Sequence, residues 1–318
     1  MFSRPLISVV VPAHNARLFI GETLTSIQRQ TLGDWECIVV DDGSVDGTCQ
    51  EAHAAIAGDL RFRMIQQECR GASAARNRGF AECSAHSAFV TFMDADDVWV
   101  PEALQVLVDR LKGSPNAAGA HGLAEMIDDC GHPLEEGTFS AFGRRRLGFR
   151  DGAIVEWPLG EPTVFETLVW TGPLYPPGLL LARRSAYQRA GLFDETMSLC
   201  EDWDMALRLS RQGPLEFLND VILFYRRHSS NQSLRVRENR RVVRWLHRKT
   251  FFAVENSPEQ RRYLISGWRA WQRFKIQEKW GAAWNGLQRG SLRETCLALR
   301  DSPVHLFRHV LGFPSGFG

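Results

Sequence analysis

The 318-residue chain lacks the features that mark disulfide-rich, zinc-binding or membrane-spanning proteins. Its seven cysteines are odd in number and form no C-x-x-C pair, which argues against a disulfide framework or a zinc cluster. No run of about eighteen apolar residues is present, so we expect no membrane-spanning helix. Residues 1–5 lead straight into a predicted strand without the apolar core of a signal peptide. These absences predict a cytoplasmic protein.

The glycine-rich loops that bind phosphate in two large enzyme classes are also missing. After the first predicted strand the chain reads Pro12-Ala13-His14-Asn15. A dinucleotide-binding dehydrogenase would carry G-x-G-x-x-G at this place. A sugar nucleotidyltransferase would carry a Gly-rich loop with Lys or Arg. The sequence therefore disfavours both classes.

Charge is divided unevenly along the chain. Residues 235–318 contain 17 Lys/Arg against 6 Asp/Glu, a net charge of about +11, whereas residues 1–234 carry about −10. This division predicts two functional regions, residues 1–234 and a basic, Trp-rich helical extension over residues 235–318. The extension either packs as a helical bundle on the core or a second subunit, or contacts an anionic membrane.

Strands and helices alternate through the first part of the chain. Short apolar runs predict strands at 7–11, 35–40, 61–66 and 89–93, and helical patterns lie between them at 18–30, 47–57 and 72–83. This order predicts an α/β fold with a mixed, mostly parallel sheet flanked by helices. Later segments predict a strand at 179–184, a helix at 201–211 and a strand at 221–225.

The segment from 113 to 170 has a looser pattern. Proline, glycine and charged residues are frequent there, and Arg144-Arg145-Arg146 reads as a loop. We expect a variable region that faces the second substrate.

Acidic residues follow the fourth predicted strand as Asp94-Ala95-Asp96-Asp97. Like charges this close repel, and Asp is a poor strand former. A hard cation such as Mg²⁺ or Mn²⁺ would neutralise them and keep coordination sites for phosphate oxygens. The alternative is a solvated acidic turn. Because ligands bind beyond the carboxyl ends of parallel strands, segments 12–15, 41–42 and 94–96 should meet at one edge of the sheet.

Six motifs, in this order and spacing, resemble the inverting family 2 glycosyltransferases of the GT-A fold. Each motif is weak alone, and the resemblance covers about residues 5 to 235. It implies a GT-A, Rossmann-like sheet. The motifs are VVVPAHN (9–15), VVDDGSVDGT (39–48), GASAARNRG (71–79), FMDADD (92–97), CEDWDMALRL (200–209) and YRRHSSNQS (225–233).

The resemblance also implies a role for particular residues. It places the metal, Mn²⁺ or Mg²⁺, on Asp94, Asp96 and His228. It makes Asp202 the general base, with Glu201 beside it, and sets Asp42 on the edge of the nucleotide base. The family more often has Tyr at the position of His14. The implied donor contacts are Pro12, His14, Asn15, Asp42, Arg76, Asn77 and Asp94.

Sugar transfer with inversion needs this division of labour. One carboxylate accepts the proton of the attacking hydroxyl. The metal stabilises the departing diphosphate, so the acid carboxyl of a glycosidase is not required. We expect the helix dipole to keep Asp202 ionised. Purely structural explanations are the alternative: Asp41-Asp42 would form an Asx turn and cap, Glu201-Asp202 would cap a helix, and His228 would be a structural residue.

The sequence thus predicts an inverting, metal-dependent glycosyltransferase that adds one sugar to a saccharide or lipid-linked acceptor. The family's processive Gln-x-x-Arg-Trp motif is replaced by Arg-Val-Val-Arg-Trp at 241–245. UDP is the expected nucleotide, with dTDP and GDP open. We expect no nucleic-acid partner. The alternatives are a catalytically inactive sugar-nucleotide-binding or scaffold protein and, less favoured, a nucleotidyltransferase.

Overall fold

The computed structural model describes residues 4–134, 144, 146–169, 174, 176–231 and 236–291. The chain divides into two compact units. The first comprises Met1–Arg146, Pro158–Phe165 and Gly172–Val242, and the second comprises Leu147–Trp157, Glu166–Thr171 and Val243–Gly318. Two short segments before residue 172 therefore cluster with the C-terminal part of the chain.

The first unit is built on an eight-stranded sheet in the order β3-β2-β1-β4-β9-β6-β10-β5. Strands β1 to β4 run parallel, β9 runs antiparallel to β4 and β6, and β5 runs antiparallel to β10. The predicted mixed, mostly parallel sheet is confirmed. The strands are β1 (Ile7–Ala13), β2 (Trp35–Asp42), β3 (Phe62–Gln67), β4 (Phe89–Phe92), β5 (Val98–Trp99), β6 (Gly119–Ile127), β9 (Leu180–Arg183) and β10 (Leu215–Arg226).

Helices flank this sheet and connect its strands. The stripe of Ile20, Leu24 and Ile27 predicted on the first helix is fully buried. Each such side chain contributes about 1.5–3 kcal/mol when removed from water. The described helices of the first unit are α1 (Ile20–Gln28), α2 (Thr48–Ala55), α3 (Ala72–Glu82), α4 (Ala103–Gly113), α6 (Arg184–Ala190) and α7 (Glu201–Ser210). Of the other described helices, α9 (Pro258–Gln288) belongs to the second unit, and α5 (Phe165–Leu168) and α8 (Val236–Phe252) each cross the boundary between the units.

The expectation of a loose region over 113–170 is wrong for part of that range. Strand β6 lies within it and pairs with both β9 and β10. Its sequence, GAHGLAEMI, has few β-branched residues, which hid it. Arg146 is fully buried and donates hydrogen bonds to Thr163 and to the carbonyl oxygens of Pro158 and Glu161. The loop prediction for Arg145 lies outside the described residues.

The second unit pairs a short hairpin with long α9. The hairpin consists of β7 (Leu147–Arg150) and β8 (Ala153–Glu156). Ser257 and Gln260 form a reciprocal capping box at the start of α9, with Pro258 as its first residue. The ring of Phe149 packs edge-on against Tyr263. No described helix, in either unit, is both long and apolar enough to cross a membrane.

The close approach of α3 to the sheet generates a stability prediction. A Cβ added at Gly79 would clash with Val10 and contact Val40, whereas one added at Gly281 of α9 would meet nothing within 4 Å. We expect Gly79→Ala to destabilise the protein by about 1–3 kcal/mol through overpacking. Gly281→Ala should be neutral or stabilising, because alanine favours helix by about 1 kcal/mol over glycine. Thermal unfolding midpoints test this contrast, and equal midpoints for the two variants would contradict it.

Candidate functional site

Three carboxylates gather where β4 ends. Oxygens of Asp94, Asp96 and Asp97 lie within 4.8 Å of one another. Asp97 is fully buried; its Oδ1 accepts the backbone N–H of Arg226 at 3.0 Å, and its Oδ2 has no hydrogen-bond partner among the described residues. An orphaned buried oxygen among carboxylates fits a hard divalent cation. The sequence prediction named Asp94 and Asp96, and the geometry adds Asp97.

A single buried guanidinium joins this cluster to the start of α7. Arg76 is only 3% exposed; its Nη2 donates to Asp94 and its Nη1 to Glu201, both at 2.7 Å. Such charge-assisted hydrogen bonds are about twice as strong as neutral ones. Arg76 thereby holds two motifs together. Its predicted contact with the donor stays a prediction: each terminal nitrogen donates to a protein carboxylate, and its Nε has no hydrogen-bond partner among the described residues.

The predicted metal ligand His228 lies beside Asp96. Its Nε2 is 2.9 Å from Oδ2 of Asp96, its Nδ1 is 2.8 Å from the hydroxyl of Ser230, and its ring centroid is 4.6 Å from that of Phe19. The position suits either a hydrogen-bond partner or a ligand, because neutral imidazole coordinates metals through the same nitrogen. The metal role of His228 therefore stays a prediction.

Sequence reasoning missed Arg226, which is 1% exposed. Its guanidinium donates to the carbonyl oxygen of Asp96 at 2.9 Å, to those of Asp128 and Asp129, and to the carboxylate of Glu22. Together with its backbone N–H on Asp97, these bonds fix the turn that carries the acids. The available signal was an arginine directly after an apolar strand and two residues before His228.

A second group of predicted residues meets at the ends of β1 and β2. Nδ1 of His14 donates to the carbonyl oxygen of Asp42 at 2.7 Å. Asn15 adopts a positive φ of 51°, and its side-chain oxygen accepts the N–H of Val45. Pro12 is half-buried one residue before the end of β1. The topology thus brings Pro12, His14, Asn15 and Asp42 to one edge, as the strand order predicted.

The two acids at the end of β2 have different partners. Asp41 accepts the N–H of Ser44, three residues further along the turn that follows β2. Asp42 accepts the N–H groups of Arg70 and Gly71 at 2.8 and 2.7 Å, and the amide of Gln67 at 2.7 Å. A carboxylate has about four acceptor positions, and the fourth donor to Asp42 is the thiol of Cys69, a weak donor 3.8 Å from Oδ2. The turn explanation therefore accounts for Asp41 and not for Asp42.

The side chain of Asn77 hydrogen-bonds to the segment that contains Phe193 and Glu195. Its amide nitrogen donates to the carbonyl oxygen of Phe193 at 3.0 Å and to Glu195, and its oxygen accepts the N–H of Phe193 at 2.8 Å. This arrangement uses both ends of the side-chain amide. The predicted donor contact through Asn77 stays a prediction.

Asp202 sits in the first turn of α7 among apolar side chains. Its Oδ1 accepts the N–H of Trp203 at 2.7 Å. Burial, reinforced by the charge of Glu201, raises the pKa of Asp202 to about 7. This shift runs against the expectation that the helix dipole keeps Asp202 ionised, because burial favours the neutral carboxyl. Asp202 lines a small pocket whose other lining residues are Phe92, Leu174, Pro177, Leu180, Tyr187, Phe193, Met205 and Ala206.

Burial acts on the strand-end acids in the same direction. It raises the pKa of Asp94 to about 6, although the charge of Arg76 pulls that pKa down. It also raises the pKa of Asp97 well above its usual range, with Asp96 and Asp94 adding to the effect. The site therefore concentrates negative charge that its own cations neutralise only in part.

Comparison with known proteins identifies the class. The fold is the GT-A type of nucleotide-sugar glycosyltransferases: mannosyltransferase PcManGT from Pyrobaculum calidifontis, solved with GDP-Man and Mn²⁺, matches with a TM-score of 0.61. The match covers 99% of this chain and 88% of that one at 18% identity, a likeness of fold. The model of glycosyl transferase family 2 matches residues 8–189, and the chain belongs to this family.

Two curated relatives come from Escherichia coli. Chondroitin synthase is 25% identical over 231 residues, which are 73% of this chain and 30% of that protein. UDP-Glc:alpha-D-GlcNAc-diphosphoundecaprenol beta-1,3-glucosyltransferase WfgD is 30% identical over 125 residues, 39% of this chain and 47% of that protein. The matched part of the chain spans less than half the length of either relative.

The raised pKa of Asp202 predicts a pH-dependent stability difference. The unfolded carboxyl has a pKa of about 3.9, so the unfolded chain releases this proton first as the pH rises. Ionisation therefore disfavours the folded state increasingly from about pH 4 to about pH 7. The amide in Asp202→Asn never ionises, so in metal-free buffer we expect its unfolding midpoint to rise relative to the parent over this range and then level off. A midpoint difference that does not vary with pH would refute the assignment.

Proposed function

We propose that the chain is an inverting, metal-dependent, non-processive glycosyltransferase that moves one sugar from a nucleotide donor to an acceptor hydroxyl. The observation that carries this proposal is the Arg76 bridge. It holds Asp94, at the end of β4, and Glu201, next to Asp202, on the same guanidinium. A leaving-group site and a base are thereby brought into one place.

The nucleoside of the donor would bind next to Pro12, His14, Asn15 and Asp42. The carboxylate of Asp42, whose weakest donor is the thiol of Cys69, suits an N–H on the edge of a base in place of that thiol, and the position of His14 next to it suits a ring stacked nearby. UDP is the proposed nucleotide. WfgD, whose name gives UDP-Glc as donor, supports this choice, and PcManGT with GDP-Man keeps GDP as the alternative.

Asp94, Asp96 and Asp97, with His228 at their rim, would hold Mn²⁺ or Mg²⁺. When bound, this ion supplies Lewis-acid stabilisation of the diphosphate leaving group. Arg226 keeps the turn of Asp96 and Asp97 in position by binding its backbone. Burial and the charge of Asp96 raise the pKa of Asp94, which supports a site that favours an added positive charge.

Asp202 is the proposed general base. A pKa of about 7 lies near neutral pH, where a group can both be ionised and accept a proton efficiently. Glu201, bound by Arg76, raises that pKa by its charge and fixes the first turn of α7. In-line attack by the acceptor oxygen, with Asp202 taking its proton, inverts the anomeric centre.

The proposed acceptor is a saccharide or a lipid-linked saccharide in polysaccharide or glycolipid biosynthesis. The names of chondroitin synthase and of WfgD, which acts on a diphosphoundecaprenol-linked sugar, support this class. The reaction would take place in the cytoplasm at the inner face of the membrane. We keep a contact of residues 235–318 with membrane or with a second copy as part of this proposal.

Replacing one strand-end acid tests the cation site. We expect Asp96→Asn to abolish the enhancement of UDP binding by Mn²⁺, because the amide removes a charged ligand. Calorimetric titration of UDP with and without Mn²⁺ measures this effect. Asp109→Asn, on the exposed side of α4, is the matched control and should keep the enhancement. Undiminished enhancement in the Asp96 variant would refute the site.

Removing the base tests the chemistry separately. We expect Asp202→Asn to slow transfer by about 10²–10⁴-fold while donor affinity changes little, because the base acts only on the acceptor proton. In the parent enzyme, kcat/KM should fall as the pH drops below about 7, since protonated Asp202 cannot act. UDP release across a panel of UDP-sugars and acceptors measures both effects. Near-parental turnover in the variant would exclude Asp202 as base.

A further inference from the structure

The second unit contains a helix face that donor chemistry does not use. Helix α9 carries six Lys/Arg against two acids. At 3.6 residues per turn, six of its side chains fall within about a quarter of the helix circumference. All six are exposed: Arg262, Arg269, Arg273, Trp280, Trp284 and Leu287. We call this set the Arg–Trp face.

The C-terminal half of the Arg–Trp face is apolar. Trp280, Trp284 and Leu287 follow the i, i+4, i+7 spacing and are 59%, 62% and 52% exposed. The same helix buries Leu264, Trp268 and Ala283 on a different side. Helix α9 therefore already has a core-facing stripe, and the exposed indoles are additional to it. Large apolar side chains placed together at a surface indicate an interaction site.

The N-terminal half of the same face is cationic. Arg262, Arg269 and Arg273 are exposed, and no acid lies on the face between Arg262 and Leu287. A second copy of this face would offer no negative charge to these arginines. Anionic lipid headgroups do, and indole rings settle at the depth of the headgroups. This pairing of basic and aromatic residues along one face is typical of helices that lie in a membrane interface.

We propose that the Arg–Trp face of α9 docks on an anionic lipid surface. The two halves contribute differently. The arginines provide attraction that salt weakens, and the indoles and Leu287 provide apolar burial that salt does not weaken. The proposal deepens the proposed function by naming the surface that brings the enzyme to a lipid-linked acceptor, but it is tested without any sugar transfer.

Vesicle sedimentation of the full chain tests the proposal. We expect binding to phosphatidylcholine vesicles that contain phosphatidylglycerol, little binding to phosphatidylcholine alone, and weaker binding in added salt. Replacing Arg262, Arg269 and Arg273 by Gln should lower the partition coefficient by about a hundredfold, from about fivefold per arginine. Trp280→Ser with Trp284→Ser should lower it as well and reduce the salt-resistant part.

Matched controls separate this face from general charge and hydrophobicity. Replacing Arg29, Lys112 and Arg189 by Gln removes the same charge from exposed positions in the first unit, and Leu60→Ser removes an exposed apolar side chain there. These variants should bind vesicles like the parent. UDP release with a soluble acceptor should be unchanged in all of them, which shows that they fold and separates this test from that of the proposed function.

Three results would overturn the proposal. One is equal sedimentation of the parent and the Arg–Trp face variants. The second is binding that ignores phosphatidylglycerol. The third is a parent dimer, seen by light scattering, that the face variants convert to monomer while vesicle binding persists, because the face would then be an interface between copies.

Discussion

The arrangement depends on one buried ion pair network, the guanidinium of Arg76 between Asp94 and Glu201. Arg76 and Glu201 are 125 residues apart in the chain, yet their atoms are 2.7 Å apart. Breaking a buried pair by removing one partner costs about 3–5 kcal/mol, because it leaves an uncompensated charge. Two sequence motifs are thus held together by a residue that belongs to a third. In the proposed reaction, that guanidinium keeps the leaving-group site and the base at fixed positions relative to each other.

Burial makes this site electrostatically unfavourable without its substrates. The pKa of Asp94, about 6, and that of Asp202, about 7, are raised mainly by the partial burial of both carboxyls. Asp97 adds a buried oxygen that no described group satisfies. In the proposed function, the divalent cation relieves the charge of the strand-end acids, and the acceptor proton relieves that of Asp202. The buried carboxyls that would perform the chemistry therefore lower the stability of the folded protein.

The sequence predicted the sheet because apolar runs such as those of β1 and β2 are buried on both faces, and their period can be read directly. It also predicted which residues reach the carboxyl edge, since strand ends share that edge. It did not predict β6, whose small residues carry no strand signal, or the burial of Arg146. The hydrogen-bond partners of Arg76 could not be read from the sequence either. The spacing places this arginine on α3, but only the fold shows that it binds Asp94 and Glu201. The raised pKa of Asp202 was hidden from the sequence for a related reason. The position of a residue at the start of a helix can be read from the sequence, but its burial cannot.

The most direct test of the central claim is a crystal structure of the chain with UDP and Mn²⁺. Our account predicts the ion within coordination distance of Asp96, the diphosphate on that ion, the uracil beside Asp42, and Arg76 still bridging Asp94 and Glu201. Asp202 should face the side of the diphosphate from which an acceptor would approach. An ion bound away from the strand-end acids would contradict the account, as would an Arg76 side chain that leaves both carboxylates to bind the phosphates.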